Sequence, residues 1–147
     1  MRVSTQFPIA VHALLMIANF PEKRITSSMV AESAGCNAVI IRNIFTKLKK
    51  AGLLDIKTGT GGTSLAKPID KISLWDIYII IETDETDEIF KIHPHTSGKC
   101  PVGSNIRSLL LNHFDDAVNA MKTELSKVTL GKLIEEIRAN TEINCTH

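Results

Sequence analysis

Arg42 and Asn43 are adjacent side chains with the right chemistry to read bases. A guanidinium pairs with guanine through two hydrogen bonds, and a carboxamide pairs likewise with adenine. Lys47, Lys49 and Lys50 follow within two helical turns. Ammonium groups in such a place neutralise phosphate, which raises affinity and its salt dependence without selecting a sequence. A glycine-rich stretch comes next, Lys57-Thr58-Gly59-Thr60-Gly61-Gly62. Glycine there permits positive φ and close backbone approach. The stretch has no following Lys-Ser/Thr, so it is a turn and not a nucleotide-binding phosphate loop.

The spacing of apolar residues predicts the elements that carry these groups. A helix over 7–20 has Ala10, Val11, Leu14, Leu15 and Ala18 on one stripe. A second begins at Thr26, whose hydroxyl can cap the free amides, and ends at Gly35. A third follows Asn37 and buries Ile41, Ile44, Phe45 and Leu48, leaving Asn43, Lys47 and Lys50 opposite, with Arg42 and Lys49 on the flanks. Gly52 stops it. Strands over 53–57 and 63–66 flank the turn at 58–62. A short helix, a turn, a basic amphipathic helix and a glycine-rich hairpin make a winged helix-turn-helix, which puts one helix into a DNA major groove and a loop beside it.

Ser73-Leu-Trp-Asp76 reads as a capping box opening a helix over 73–82, with Trp75, Ile79 and Ile80 packing it onto the winged domain. An acidic stretch and a loop containing His93, His95 and Cys100 follow. A long helix over 105–127 then carries Ile106, Leu109, Leu110, Phe114, Ala117, Val118, Met121 and Leu125 in one stripe. A helix of that length after a complete small domain needs something to bury against, and a partner subunit answers that need. Thr129 caps a last helix with Leu130, Leu133, Ile134 and Ile137, and 140–147 is expected to fray. The fold class is mainly α with a small β-wing. The organisation is a winged domain over 1–82, an effector or sensor loop over 83–104, dimerisation helices over 105–140 and a flexible tail over 141–147.

Composition agrees with this division. The chain has 147 residues, 44% of them apolar, enough for a core, while aromatics at 5% make that core aliphatic. Residues 1–72 carry ten Lys/Arg against four Asp/Glu, and residues 73–147 carry seven against twelve. A basic front half and an acidic rear half suit a molecule that touches phosphate at one end. Cys36, Cys100 and Cys145 are an odd, widely spaced set and no disulfide framework, which points to a reducing cytoplasm. The apolar stretch 8–20 contains His12, lacks a small-residue cleavage site and has helical spacing, so it is read as a core helix and not a signal peptide. No run of about 18 apolar residues exists to span a membrane.

Cys100 precedes a helix start, where the dipole favours thiolate, and Lys99 adds positive potential. It is the candidate sensor, responding to redox state or to a small-molecule effector near it. His93, His95 and Cys100 do not have the spacing of a structural zinc site, so no metal is expected. No nucleophile-base spacing and no paired carboxylates in an apolar pocket suggest catalysis, so no catalytic residue is assigned.

The order of motifs resembles the IscR/NsrR/CymR-type winged-helix transcription regulators, the Rrf-two family. It rests on Met1-Arg-Val-Ser4, Ala10-Val11-His-Ala-Leu14, Val30-Ala-Glu-Ser-Ala-Gly35 and Lys47-Leu-Lys-Lys-Ala-Gly-Leu53. Gly59-Thr-Gly-Gly-Thr63, Ile72-Ser-Leu-Trp-Asp76-Ile and Cys100-Pro-Val-Gly103 complete it. The resemblance implies a cytoplasmic homodimer on double-stranded DNA, a repressor whose long helices cross and whose two winged domains read a palindromic operator. It implies that Thr26, Ser27 and Ser28 hold phosphate. Asn37, Ala38, Val39, Arg42 and Asn43 would face bases. Lys57, Thr58, Gly59, Thr60, Gly61 and Gly62 would approach the adjacent groove. Cluster-binding members carry three cysteines in the loop where this chain has only Cys100, so no iron–sulfur cluster or other cofactor is expected. The wing opens with Thr58 in place of the usual arginine, Pro8 and Ile9 stand where a basic residue and an aromatic are common, and Arg42 replaces a glutamate. A different operator is therefore implied. The alternative is a winged-helix module that binds another protein without touching DNA.

Overall fold

A computed structural model describes residues 4–57, 62–82 and 89–145. Helix α1 (Gln6–Asn19) buries Ala10, Ala13, Leu14 and Ile17. The expected stripe is thus rotated, since Val11 and Leu15 are only half-buried. The small side chains of Ala10 and Ala13 permit close packing, so they take the innermost face. Val11 and Leu15 instead border a shallow apolar groove whose far wall is Ile137.

Helix α2 (Ser27–Ala34) opens where the Thr26 hydroxyl accepts from the Met29 amide at 3.2 Å, and ends at Gly35. Helix α3 (Ala38–Lys50) opens on Asn37, whose Oδ1 accepts from the Val39 amide at 2.8 Å. Its buried residues are Ile41, Ile44, Phe45 and Leu48, as the periodicity requires. Strands β1 (Leu54–Lys57) and β2 (Gly62–Leu65) pair antiparallel, with Leu54 opposite Leu65 and Lys57 opposite Gly62. A short 3-10 turn (Ile69–Lys71) leads to α4 (Leu74–Glu82). Its capping box is reciprocal: the Ser73 amide donates to Asp76 at 2.9 Å, and the Asp76 amide donates to the Ser73 hydroxyl at 3.2 Å.

On α4 the buried residues are Ile77, Tyr78 and Ile81; of the expected Trp75, Ile79 and Ile80, Ile80 is half-buried against the core as expected. Tyr78 sets this orientation. Its ring meets Phe7 of α1 edge-on at 5.6 Å, and Trp75 stacks on its other side at 5.4 Å. Ile79 is left exposed.

Helix α5 (Pro101–Ser126) starts four residues before the expected position because Pro101 occupies its first turn, where a missing N–H costs nothing. None of its residues is buried. Phe90 stacks on its Phe114 at 4.6 Å.

Helix α6 (Leu130–Cys145) begins where the Thr129 hydroxyl accepts from the Lys132 amide at 3.2 Å. It runs to Cys145, past the position where fraying is expected. No glycine or proline interrupts it after Gly131, and the Thr141 hydroxyl donates to the Ile137 carbonyl at 2.8 Å. Leu130 and Ile134 enter the core of the winged domain. A two-bond bridge holds them there: the Leu74 amide donates to the Val128 carbonyl, and the Leu130 amide to the Ile72 carbonyl, both at 2.9 Å. Gly131 leaves room for the Asp70 carboxylate against the first turn of α6, where the helix dipole favours negative charge. The expected unit over 105–140 therefore joins two differently placed helices. Helix α5 lies on the surface, while the start of α6 is winged-domain core.

Candidate nucleic-acid interface

The buried face of α3 fixes its outward one. Arg42, Asn43, Lys47 and Lys50 are exposed, and Val39 at the helix start is 51% exposed. An apolar side chain so placed can meet a thymine methyl. The last turn carries Lys47, Lys49 and Lys50, where cations complement the helix dipole.

Beside α3 the winged domain opens into a cleft of about 360 Å³. Its floor is apolar, made by Ile25, Phe45 and Ile56. Thr26 and Ser27 enter its rim from the start of α2, Arg42 from α3, and Lys57 and Gly62 from the hairpin. Five of the residues expected from the sequence therefore converge although they are up to 36 positions apart in the chain. Among the described residues that line it, none is a carboxylate.

The other expected residues lie elsewhere. Ser28, Asn43 and Lys47 are exposed outside the cleft. The Asn37 side-chain oxygen is committed to capping α3, and Ala38 is half-buried against the core. Thr58, Gly59, Thr60 and Gly61 lie outside the described residues.

Arg24 was missed by sequence reasoning. It lines the cleft one residue before the buried Ile25. Its stem lies against Gly62, so close that a Cβ on Gly62 would meet Arg24 Cγ at 2.8 Å. The neighbouring cation is used differently, since Lys23 sits 4.7 Å over the Phe20 ring. The available signal was a Lys-Arg pair immediately before a capped helix start. Gly62 also has φ +70. Gly62→Ala is expected to lower stability by about 1–2 kcal/mol from the left-handed backbone alone, and to displace Arg24. Thermal melts would measure the first effect and duplex titration the second.

Cys100 is exposed at the N-cap of α5. The amides of Gly103 and then Val102 lower its thiol pKa, without an ordinary capping hydrogen bond from the side chain. The preceding loop folds onto this helix start: a Cβ on Gly103 would lie 2.5 Å from the Ser97 carbonyl oxygen. Cys36 is half-buried in the turn between α2 and α3. Among the described residues, no three His, Cys, Asp or Glu side chains are grouped to hold a metal. His93, His95 and Cys100 are not gathered into such a group.

Residues 3–136 match the family model for Rrf2, whose description is iron-dependent transcriptional regulator. The chain belongs to the Rrf2 family. It is 30% identical over 135 residues to YwnA of Bacillus subtilis, named provisionally as an HTH-type transcriptional regulator. That match covers 92% of this chain and 98% of YwnA. The HTH-type transcriptional regulator IscR of Photobacterium profundum is 25% identical over 138 residues, covering 92% of this chain and 77% of IscR. A solved Lactobacillus plantarum protein superposes with a TM-score of 0.76 at 26% identity, covering 90% of this chain and 89% of the other. This Rrf2 chain is accordingly a DNA-binding transcription regulator with a winged-helix fold, in a family of regulators and not of enzymes. No described helix is long and apolar enough to cross a membrane.

Proposed function

We propose that two copies of this chain bind a palindromic operator on double-stranded DNA and repress transcription from it. The observation that carries this reading is the cleft that unites Thr26, Ser27, Arg42, Lys57 and Gly62 beside the exposed face of α3. Arg42 and Asn43 read base edges in the major groove, with Val39 offering apolar contact. Thr26, Ser27 and Ser28 hold phosphate at the start of α2. Lys47 takes a further phosphate on α3. The wing, from Lys57 through Thr58, Gly59, Thr60 and Gly61 to Gly62, follows the neighbouring groove. Asn37 and Ala38 set the entry of α3 and contribute through position more than through contact.

The second copy accounts for α5, a 26-residue helix with no buried side chain of its own. Pairing α5 with its counterpart sets the distance between two reading helices, which must match about one helical turn of DNA, roughly 34 Å. The loop before α5 is where a signal enters. The lowered pKa of Cys100 means that more of it is thiolate at a given pH than in an ordinary exposed cysteine. Oxidation there, or a small effector, acts by favouring one spacing of the reading heads over the other.

Selection of sheared host genomic DNA, reduced and after mild oxidant, tests the reading. A palindromic fragment retained only by reduced protein, and retained under oxidant by Cys100→Ser, supports repression with a thiol switch. Retention in both states assigns the signal to a small effector. Arg42→Ala is expected to weaken the selected duplex about tenfold and relax preference at one position per half-site. Failure to enrich any fragment at low salt overturns DNA binding and sends the winged face to protein partners.

A further inference from the structure

We infer that Arg24 and the start of α2 form a seat for one DNA backbone phosphate, wedged between the reading helix and the wing. The inference rests on the DNA-binding reading and adds to it a residue outside the helix-turn-helix and wing motifs. Three cations, Arg24, Arg42 and Lys57, come from three different segments and line one concave cleft with no carboxylate among the described residues that line it. An anion entering the cleft would be attracted by all three.

The cleft also presents neutral donors. The Met29 amide is taken by the Thr26 hydroxyl, and the Val30 amide by the Thr26 carbonyl. Of the first-turn donors, the Ser27 amide remains for an anion in the cleft, which Ser27 lines. Gly62 decides where Arg24 can lie. Because it has no side chain, the Arg24 stem rests on the hairpin backbone, 3.4 Å from Cα to the position a Cβ would take. A phosphate in the seat would therefore contact the wing support, the start of α2 and α3 at once. It would lock the angle between wing and reading helix when DNA is bound.

The test uses the full chain and the duplex obtained by genomic selection, with binding followed by fluorescence anisotropy across a salt series. Arg24→Ala is expected to weaken selected and scrambled duplexes alike. The slope of log affinity against log salt should fall by about one per bound subunit. Arg24→Lys should keep that slope, since it keeps the charge. Ethylation interference gives a second readout on the wild-type protein. Among the phosphates whose ethylation blocks binding, one per half-site should lose that effect with Arg24→Ala. An unchanged slope and an unchanged interference pattern with Arg24→Ala would overturn the seat, leaving Arg24 as a prop for the wing. Absence of salt-dependent binding by the wild-type chain to any duplex would instead overturn the DNA reading itself, and the seat with it.

Discussion

Leu130→Ala is expected to lower the unfolding free energy by about 2–5 kcal/mol, the range for deleting a fully buried leucine. Leu130 is 0% exposed although it lies beyond the long helix, in the last element of the chain. It packs with Ile72, Ile77 and the α1–α3 cluster, and the Ile72 carbonyl holds its amide. Truncation would open a cavity that two bridge hydrogen bonds and the capped α6 start keep from collapsing. Ile137→Ala, two turns on and already 37% exposed, should cost about 1 kcal/mol or less. Urea titration of both variants measures the contrast. Equal, small losses would mean that α6 is not part of the winged core. The same bridge ties the return from α5 to the start of α4.

The second large effect concerns assembly. If the proposed dimer forms through α5, Leu109→Glu should convert it to a monomer, with affinity for the proposed operator falling by about 100-fold or more as the two half-sites lose their linkage. Leu109 is 58% exposed, so its replacement removes little from the core of one subunit. A carboxylate in the proposed paired face would be costly, because it would be buried without a partner. Light scattering and operator titration read the two consequences together, and circular dichroism should be unchanged. A wild-type chain that is monomeric at micromolar concentration, or a Leu109→Glu protein that still dimerises, would remove α5 as the dimer contact.

Much of the reading head was legible from local pattern alone. The α3 stripe at Ile41, Ile44, Phe45 and Leu48 has the helix period, and the caps at Thr26, Asn37, Ser73 and Thr129 use short side chains that compete for free amides. Those interactions span at most a few residues, so the sequence carries them without reference to the fold. Helices whose residues are apolar on several sides were harder to orient. Ile77, Ile79, Ile80 and Ile81 are chemically alike, and their ranking by burial depends on Phe7 and Tyr78 meeting across α1 and α4.

The winged helix-turn-helix, the outward placement of Arg42 and Asn43, the paired strands of the hairpin and the polarity of charge along the chain all follow from residue order. Each rests on periodicity, capping or side-chain chemistry within about a dozen residues. Packing between distant segments, by contrast, brings Arg24 to the cleft, turns Ile77 and Tyr78 of α4 inward and makes α6 complete the winged core. These outcomes depend on close approaches such as Arg24 against Gly62 and Leu130 under Ile72. Long-range packing selects one among several locally equivalent faces, and that selection has no signature in neighbouring residues.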